Sequence, residues 1–324
     1  MSHIAVRMNS TPEATSFASP VVLDFSADVG EGESILAYTI ALSGFAMEFD
    51  VSTDVPGARK LGRTAITLIP NLVGNAVYVT GDLVLTDYDG NCATQAISGK
   101  EYSSVAVITA IALIGNAAER SSDGFVLGNV FGLASGTSTP NINVQSNSTN
   151  WGLISGFSAQ ANQDIPAEIS GLDIKAVVNQ APGSDALTIT ATCETPEGPN
   201  VNGNADVAVL SIPNGISGSF QIVNANVTWS EPTKEGKLGT IVAVFDEMPE
   251  GQSIQNYGVL LEEIYLTYDT QAKFQVLVAL SALLPAGNMI TGLVTLNIHD
   301  GNIFNHHYIS HASYVTAYLI AQFG

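Results

Sequence analysis

Apolar and polar residues alternate with a period of two along most of this chain. Residues 187–192 alternate apolar side chains with threonine, whereas residues 241–245 are apolar on both faces. Successive side chains of a strand point to opposite faces, so these patterns predict a half-buried and a fully buried strand. Residues 220–229 change phase after Ile222, as at a β-bulge. The other predicted strands are 21–25, 35–43, 45–51, 65–69, 77–85, 172–178, 206–212 and 259–268.

Clusters of Gly, Pro, Asn and Asp separate these runs, which is the chemistry of tight turns. Many short strands with such punctuation indicate an all-β sandwich or barrel. Helical patterning is scarce, because only 105–118 and 313–323 fit a helix as well as a strand. Their Val, Ile, Thr and Tyr content favours strand. We therefore predict an all-β fold with little helix.

An uncharged segment rich in Gly, Ser, Asn and Thr, residues 125–163, lies near the middle of the chain. This composition is typical of loops, so we interpret the segment as the connection between two halves. A chain of 324 residues is long enough for two units that each bury a core. We predict two tandem β-sandwiches, residues 1–150 and 151–324.

Two short echoes suggest that the chain contains a duplication, but they disagree on its offset. Ile69-Pro70-Asn71 recurs as Ile212-Pro213-Asn214, at a spacing that suits two sandwiches. Gly74-Asn75 recurs as Gly287-Asn288 at a much longer spacing, which a simple duplication does not explain. Gaps or chance must account for one of the two. Because proline belongs at strand ends, we expect Pro70 and Pro213 to occupy equivalent positions.

Residues 274–298 carry no formal charge and are a candidate membrane span. However, Pro285-Ala286-Gly287-Asn288 in their middle is turn chemistry. Each flank is too short for a spanning helix. We predict two buried strands joined by a turn.

Composition points to self-association and away from nucleic acid. The chain is 46% hydrophobic and only 12% charged, and its net charge is −20. A lone soluble protein normally exposes more charge, so we expect a homo-oligomer, with a trimer favoured. The only basic cluster is Arg59, Lys60 and Arg63, too few cations for tight phosphate binding. We expect no direct nucleic-acid contact.

The two cysteines suggest no redox or zinc motif, and the N-terminal residues indicate a cytoplasmic site of synthesis. Cys92 and Cys193 lie too far apart for a CxxC motif, and two separate thiols are favoured over a disulfide between the halves. Residues 1–8 lack the apolar run of a signal peptide, so we expect synthesis in a cytoplasm without export.

Two segments are candidate metal sites. His299, Asp300, His306, His307 and His311 offer ligands, but on a strand His307 and His311 lie too far apart to bind one ion together. A second segment, Asp87-Tyr88-Asp89-Gly90-Asn91, resembles part of a calcium loop but lacks the later Glu, so a tight turn at Asp89-Gly90 is favoured. We predict no metal and no cofactor.

No catalytic motif stands out. Residues 132–139 lack the Gly-Lys-Ser/Thr of a phosphate loop, and residues 215–219 lack the last Gly of a nucleophile elbow. Glu262-Glu263 and Asp246-Glu247 are candidate acid pairs for glycoside hydrolysis. Adjacent strand residues point to opposite faces, so we expect each pair to split. We predict that the protein is not an enzyme and assign no catalytic residue.

In size, turn density and suspected duplication the whole chain resembles double jelly-roll viral capsid proteins. The resemblance implies two jelly-roll sandwiches side by side, usually in trimers that tile a shell. It also implies a virion protein, most simply a major capsid subunit made in the host cytoplasm, with other virion proteins as partners. The alternative is a phage tail or spike protein, or another receptor- or carbohydrate-binding β protein.

Overall fold

The structure is a computed structural model that describes residues 2–11, 19–48, 61–87, 104–117, 124–134, 138–139, 148–161, 169, 171–181, 184–194, 201–213, 220–232, 236–246, 248, 250–267, 275–299, 310 and 312–324. Within these ranges every extended regular element is a β-strand and no helix occurs. The predicted all-β sandwich class is confirmed. Both ambiguous segments are strands, as their β-branched and aromatic content predicted.

Three stretches of chain, 3–115, 126–213 and 220–323, adopt the same order of paired strands, and we call them the first, second and third repeats. The first comprises β1 (His3–Ser10), β2 (Val21–Asp24), β3 (Ser34–Glu48), β4 (Leu61–Val73), β5 (Ala76–Asp87) and β6 (Val105–Gly115). The second comprises β7 (Val126–Ala134), β8 (Ser138–Thr139), β9 (Ser148–Ala161), β10 (Gly171–Ala181), β11 (Ser184–Glu194) and β12 (Val201–Pro213). The third comprises β13 (Phe220–Asn224), an additional short β14 (Asn226–Trp229), β15 (Lys237–Val244), β16 (Ile254–Thr267), β17 (Gln275–Ala286), β18 (Met289–His299) and β19 (Tyr314–Phe323).

Neighbouring repeats share their sheets. Sheet A has the order β1-β6-β3-β17-β18-β15-β14, sheet B β2-β5-β4-β9-β12-β7, and sheet C β13-β19-β16-β10-β11-β8. The first, sixth and third strands of each repeat therefore lie in one sheet, and its second, fifth and fourth strands lie in another. Each repeat is a sandwich whose two layers continue into different neighbours.

The three places where a sheet passes from one repeat to the next have the same register. The equivalent facing pairs are Phe45 with Val278 in sheet A, Phe157 with Ile66 in sheet B, and Ile264 with Ile174 in sheet C. All six side chains are buried. The common register relates the repeats by a pseudo-threefold axis.

Two buried clusters hold the repeats together. The larger fills the interiors of the sandwiches, where the rings of Phe45 and Phe157 meet with centroids 5.5 Å apart. The smaller contains equivalent positions from every repeat. Its matched sets are Ala41, Leu153 and Leu260, and Ile111, Leu210 and Ile320. This second core therefore surrounds the pseudo-threefold axis.

A β-bulge recurs in the middle of the third strand of every repeat. The register between the third and sixth strands shifts at Ser43, Ser155 and Glu262, each an extra residue without a partner across the ladder. Gly44 and Gly156 follow the two serines. An added Cβ would lie 2.7 Å from the Val278 carbonyl oxygen at Gly44 and 2.6 Å from that of Ile66 at Gly156. The close approach of the neighbouring repeat explains both glycines.

Our interpretation of residues 125–163 as long loops was wrong. The segment contains β7 and β9, and β9 lies between β4 and β12 in sheet B. Leu153 and Ile154 are buried on opposite faces of β9, so the strand needs no charged face. A strand that is covered on both faces carries no charge, and neither does a loop of small polar residues. The absence of charge therefore does not distinguish the two.

The predicted equivalence of Pro70 and Pro213 was also wrong. Pro70 lies inside β4 opposite Val79, whereas Pro213 ends β12 opposite Ser148. The Gly-Asn echo is the one with a structural basis. Gly74-Asn75 and Gly287-Asn288 form the two-residue turns of the β4–β5 and β17–β18 hairpins, and both glycines have φ near 60°. That conformation suits glycine because it has no Cβ.

Strands from both sides of the predicted boundary share sheets. Residues 150 and 151 both lie inside β9, and β3 pairs with β17 in sheet A. The assignment of 1–150 and 151–324 to two units stays a prediction, and these pairings weigh against it. The finer jelly-roll topology stays a prediction as well.

The hairpin predicted over residues 274–298 is confirmed as β17 and β18, but only one of its faces is buried. Ile290 and Val294 lie in the core, whereas Leu284 and Leu293 are exposed. Among the residues that the structure describes, no helix has the length and apolar character needed to cross a membrane.

Candidate functional site: an acidic cluster and two apolar faces

Glu262 and Glu263 lie on one face of sheet C, so our prediction that the pair splits was wrong. Glu262 accepts hydrogen bonds of 3.2 Å from the hydroxyls of Thr316 and Tyr318, and Glu263 accepts one of 2.8 Å from the Tyr314 hydroxyl. These three donors are alternate residues of β19 and share a face. The bulge at Glu262 breaks the strict alternation on which the prediction rested.

Glu263 also joins two repeats. Lys175 lies directly opposite it on β10 of the second repeat, with Nζ 2.6 Å from Glu263 Oε2. The Glu263 side chain is 8% exposed and that of Lys175 is 38% exposed. Gly44 and Gly156 occupy the positions equivalent to Glu263, so the other two junctions cannot form this ion pair.

The surroundings of the two glutamates keep the hydroxyls of Tyr314 and Tyr318 protonated at neutral pH. Burial raises the pKa of Tyr314 and Tyr318 to about 12, and their hydrogen bonds to Glu263 and Glu262 act in the same direction. Both hydroxyls therefore remain donors. Burial also raises the pKa of Glu262, although the hydrogen bonds from Tyr318 and Thr316 oppose that shift. Both oxygens of each carboxylate have a hydrogen-bonding or ionic partner. The group therefore suits a structural contact between repeats better than an acid–base pair, and we call it the clasp, which consists of Glu262, Glu263, Lys175, Tyr314, Thr316 and Tyr318.

A tyrosine pair lies beside this clasp. The rings of Tyr265 and Tyr314 stack with centroids 5.2 Å apart and planes inclined by 29°. Tyr265 lies opposite Asp173 across the junction. Both tyrosines are partly exposed, so this part of sheet C presents aromatic surface next to polar groups.

In the first and third repeats, the fourth and fifth strands form a hairpin, and the second strand lies beside it in the same sheet. The outer side of these three strands exposes an apolar face in each of the two repeats. Face A belongs to the third repeat and consists of Leu238, Val244, Leu284 and Leu293. Face B belongs to the first repeat and consists of Val22, Ile69 and Val73. Among the described residues, these seven and Phe131 are the large hydrophobic side chains that stand exposed. The pseudo-threefold axis relates the hairpins that carry the two faces.

Of the metal-ligand candidates, the structure describes only His299 and Asp87. His299 ends β18 and Asp87 ends β5, in different sheets. The described ranges contain no group of three or more His, Cys, Asp or Glu placed to hold a metal ion. Arg63 lies on β4, and Asp246 is exposed just beyond β15. Further candidates lie outside the described residues, namely Arg59, Lys60, Asp89, Cys92, residues 215–219, Glu247, Asp300, His306, His307 and His311.

The residues that complete the clasp were missed at the level of sequence. Lys175 is far from Glu263 along the chain, and the sharing of sheet C between repeats brings the two together, whereas Tyr314 and Tyr318 reach the glutamates through the β16–β19 pairing within the third repeat. The exposure of face A was missed because an uncharged hairpin looks the same whether one or both faces are covered.

Comparison of the chain with models of protein families, with curated proteins and with solved structures found no match.

Proposed function

We propose that this protein is a non-enzymatic structural subunit that assembles with copies of itself, as the major capsid protein of a virus particle does. The observation that carries the proposal is the pair of exposed apolar faces on equivalent hairpins. Exposed apolar patches of this kind mark interaction sites on soluble proteins. Repetition at pseudo-equivalent places gives one chain more than one such contact, which a continuous shell requires.

The internal architecture supports the same proposal. Because the repeats share all three sheets, the chain forms one block without long linkers between sandwiches. Such a block keeps its outer faces at fixed angles, and fixed angles give a regular assembly. The net charge of −20 favours contact with other proteins over contact with the genome. In this proposal the protein is made in the host cytoplasm, and its partners in the virion are further copies and other virion proteins.

Electron microscopy of the purified full-length chain, with light scattering on the same sample, tests the proposal. We expect closed shells, flat sheets or discrete oligomers at micromolar concentration. A particle that scatters as a monomer over the whole concentration range would contradict it.

A second candidate function is a tail or spike protein, or another receptor- or carbohydrate-binding β protein. The specific observation in its favour is the partly exposed Tyr265–Tyr314 stack beside the polar clasp. Aromatic faces next to carboxylates and hydroxyls suit the binding of sugars, which are apolar on one face and polar at the rim. Titration of simple sugars with tyrosine and tryptophan fluorescence as the readout, on the wild type and on Tyr265→Ala, tests this candidate.

A further inference from the structure

Face A carries no charge on the outward side of its strands. The outward positions of β15 alternate with buried ones and hold Leu238, Thr240, Val242 and Val244. Leu293 lies opposite Thr240 across the β15–β18 ladder, and Leu284 lies opposite Thr291 across the β17–β18 ladder. These side chains therefore form one continuous patch on one side of sheet A.

Face B differs in its border. Asp24 and Asp82 are exposed on the same side of β2 and β5 as Val22 and Thr80. Two copies of face B brought together would place these carboxylates near one another, on chains whose net charge is −20. At face A, β15, β17 and β18 contain no carboxylate, and the exposed Asp246 lies two residues beyond Val244, past the end of β15, so contact between two copies of face A involves less repulsion.

The size of face A fits the centre of an interface between two copies. Its four large side chains are between 42% and 63% exposed. Together they present on the order of 400 Å² of apolar surface, a size that marks a patch as an interaction site. A stable interface buries about 800 Å² per partner, with an apolar centre and a polar rim. The threonines and serines around face A suit such a rim.

We propose that face A of one copy packs against face A of a second copy around a twofold axis. The inference rests on the proposed self-assembly and identifies the first contact in it. Because overall charge repels the copies while face A attracts them, the association becomes tighter as salt concentration rises.

Sedimentation of the full-length chain tests the inference with two matched pairs of substitutions. Leu284→Asp with Leu293→Asp alters face A, and Ile69→Asp with Val73→Asp alters face B at comparable exposure. We expect the face A variant to weaken the first step, formation of the dimer, at least tenfold, and the face B variant to form that dimer as the wild type does, whatever its effect on larger assemblies. Circular dichroism and thermal unfolding establish that both variants are folded.

A crosslinking measurement identifies directly which face lies in the contact. In a chain with Cys92 and Cys193 replaced by serine, Leu293→Cys should form a disulfide between two copies under mild oxidation, and Ile69→Cys should not. If the wild type associates but only the face B variant or Ile69→Cys affects the contact, the inference fails and the proposed function survives. A wild type that stays monomeric overturns both.

Discussion

Lys175 Nζ lies 2.6 Å from Glu263 Oε2, and the two residues face each other on strands of different repeats. Replacing Lys175 with methionine leaves the buried carboxylate without its cation. Because Lys175 is 38% exposed, solvent screens part of the interaction, and we expect a loss of about 2 kcal/mol in the free energy of unfolding. Urea denaturation of the full-length chain measures it.

The matched control is the double variant Lys175→Met with Glu263→Gln. It removes both charges, so it should recover most of the lost stability while the Tyr314 hydroxyl still finds an acceptor. Equal unfolding midpoints for Lys175→Met and the wild type would show that the pair contributes nothing to the junction.

The contribution of Glu262 to the free energy of unfolding depends on pH and falls as pH rises. Burial raises its pKa in the folded state above that in the unfolded chain. Its contribution to stability is therefore fully present below the unfolded pKa and is lost as pH rises through the folded pKa. Glu262→Gln keeps an acceptor for Tyr318 without the charge, so its stability relative to the wild type should increase between pH 4 and pH 7. Thermal unfolding of both proteins across that range tests this, and a constant difference would contradict it.

The threefold repetition was largely hidden in the sequence because the loops differ in length. Leu42-Ser43-Gly44-Phe45 matches Ile154-Ser155-Gly156-Phe157 in the first two repeats, whereas Gly74-Asn75 matches Gly287-Asn288 in the first and third. No single offset aligns all of these, so a search for one duplication favoured the chance echo at Pro70 and Pro213.

The period of two predicted the strands well because it reports how each strand is buried. It could not predict which strands pair, since β3 meets β17 and β10 meets β16 across long stretches of chain. The position of Glu262 also escaped prediction, because a bulge inverts the alternation that places side chains on faces.

Gly156 tests the close approach of neighbouring repeats. A Cβ there would lie 2.6 Å from the Ile66 carbonyl oxygen and 2.9 Å from Asp206 Oδ2. Since the first is backbone and cannot swing away, we expect Gly156→Ala to cost about 1–3 kcal/mol. The control is Gly128→Ala on β7, where a Cβ would have nothing within 4 Å, and which should be neutral or slightly stabilising. Chemical denaturation of both variants provides the comparison, and equal stabilities would show that sheet B relaxes at this junction.

Phe157 tests whether the three repeats unfold as one unit. Its ring contacts that of Phe45 across two sheets, in a core that contains residues of all three repeats. Because every sheet continues from one repeat into the next and the core is common to all three, loss of this contact should destabilise the whole chain in a single transition. We expect Phe157→Ala to cost about 3–5 kcal/mol.

Trp151 on β9 reports on the second repeat and Trp229 on β14 reports on the third, so Trp151→Phe and Trp229→Phe each leave one local fluorescent probe. In both backgrounds the fluorescence midpoint should coincide with that of far-UV circular dichroism, before and after Phe157→Ala. If Phe157→Ala moves the Trp151 transition and leaves the Trp229 transition in place, the repeats are energetically separate despite their shared sheets.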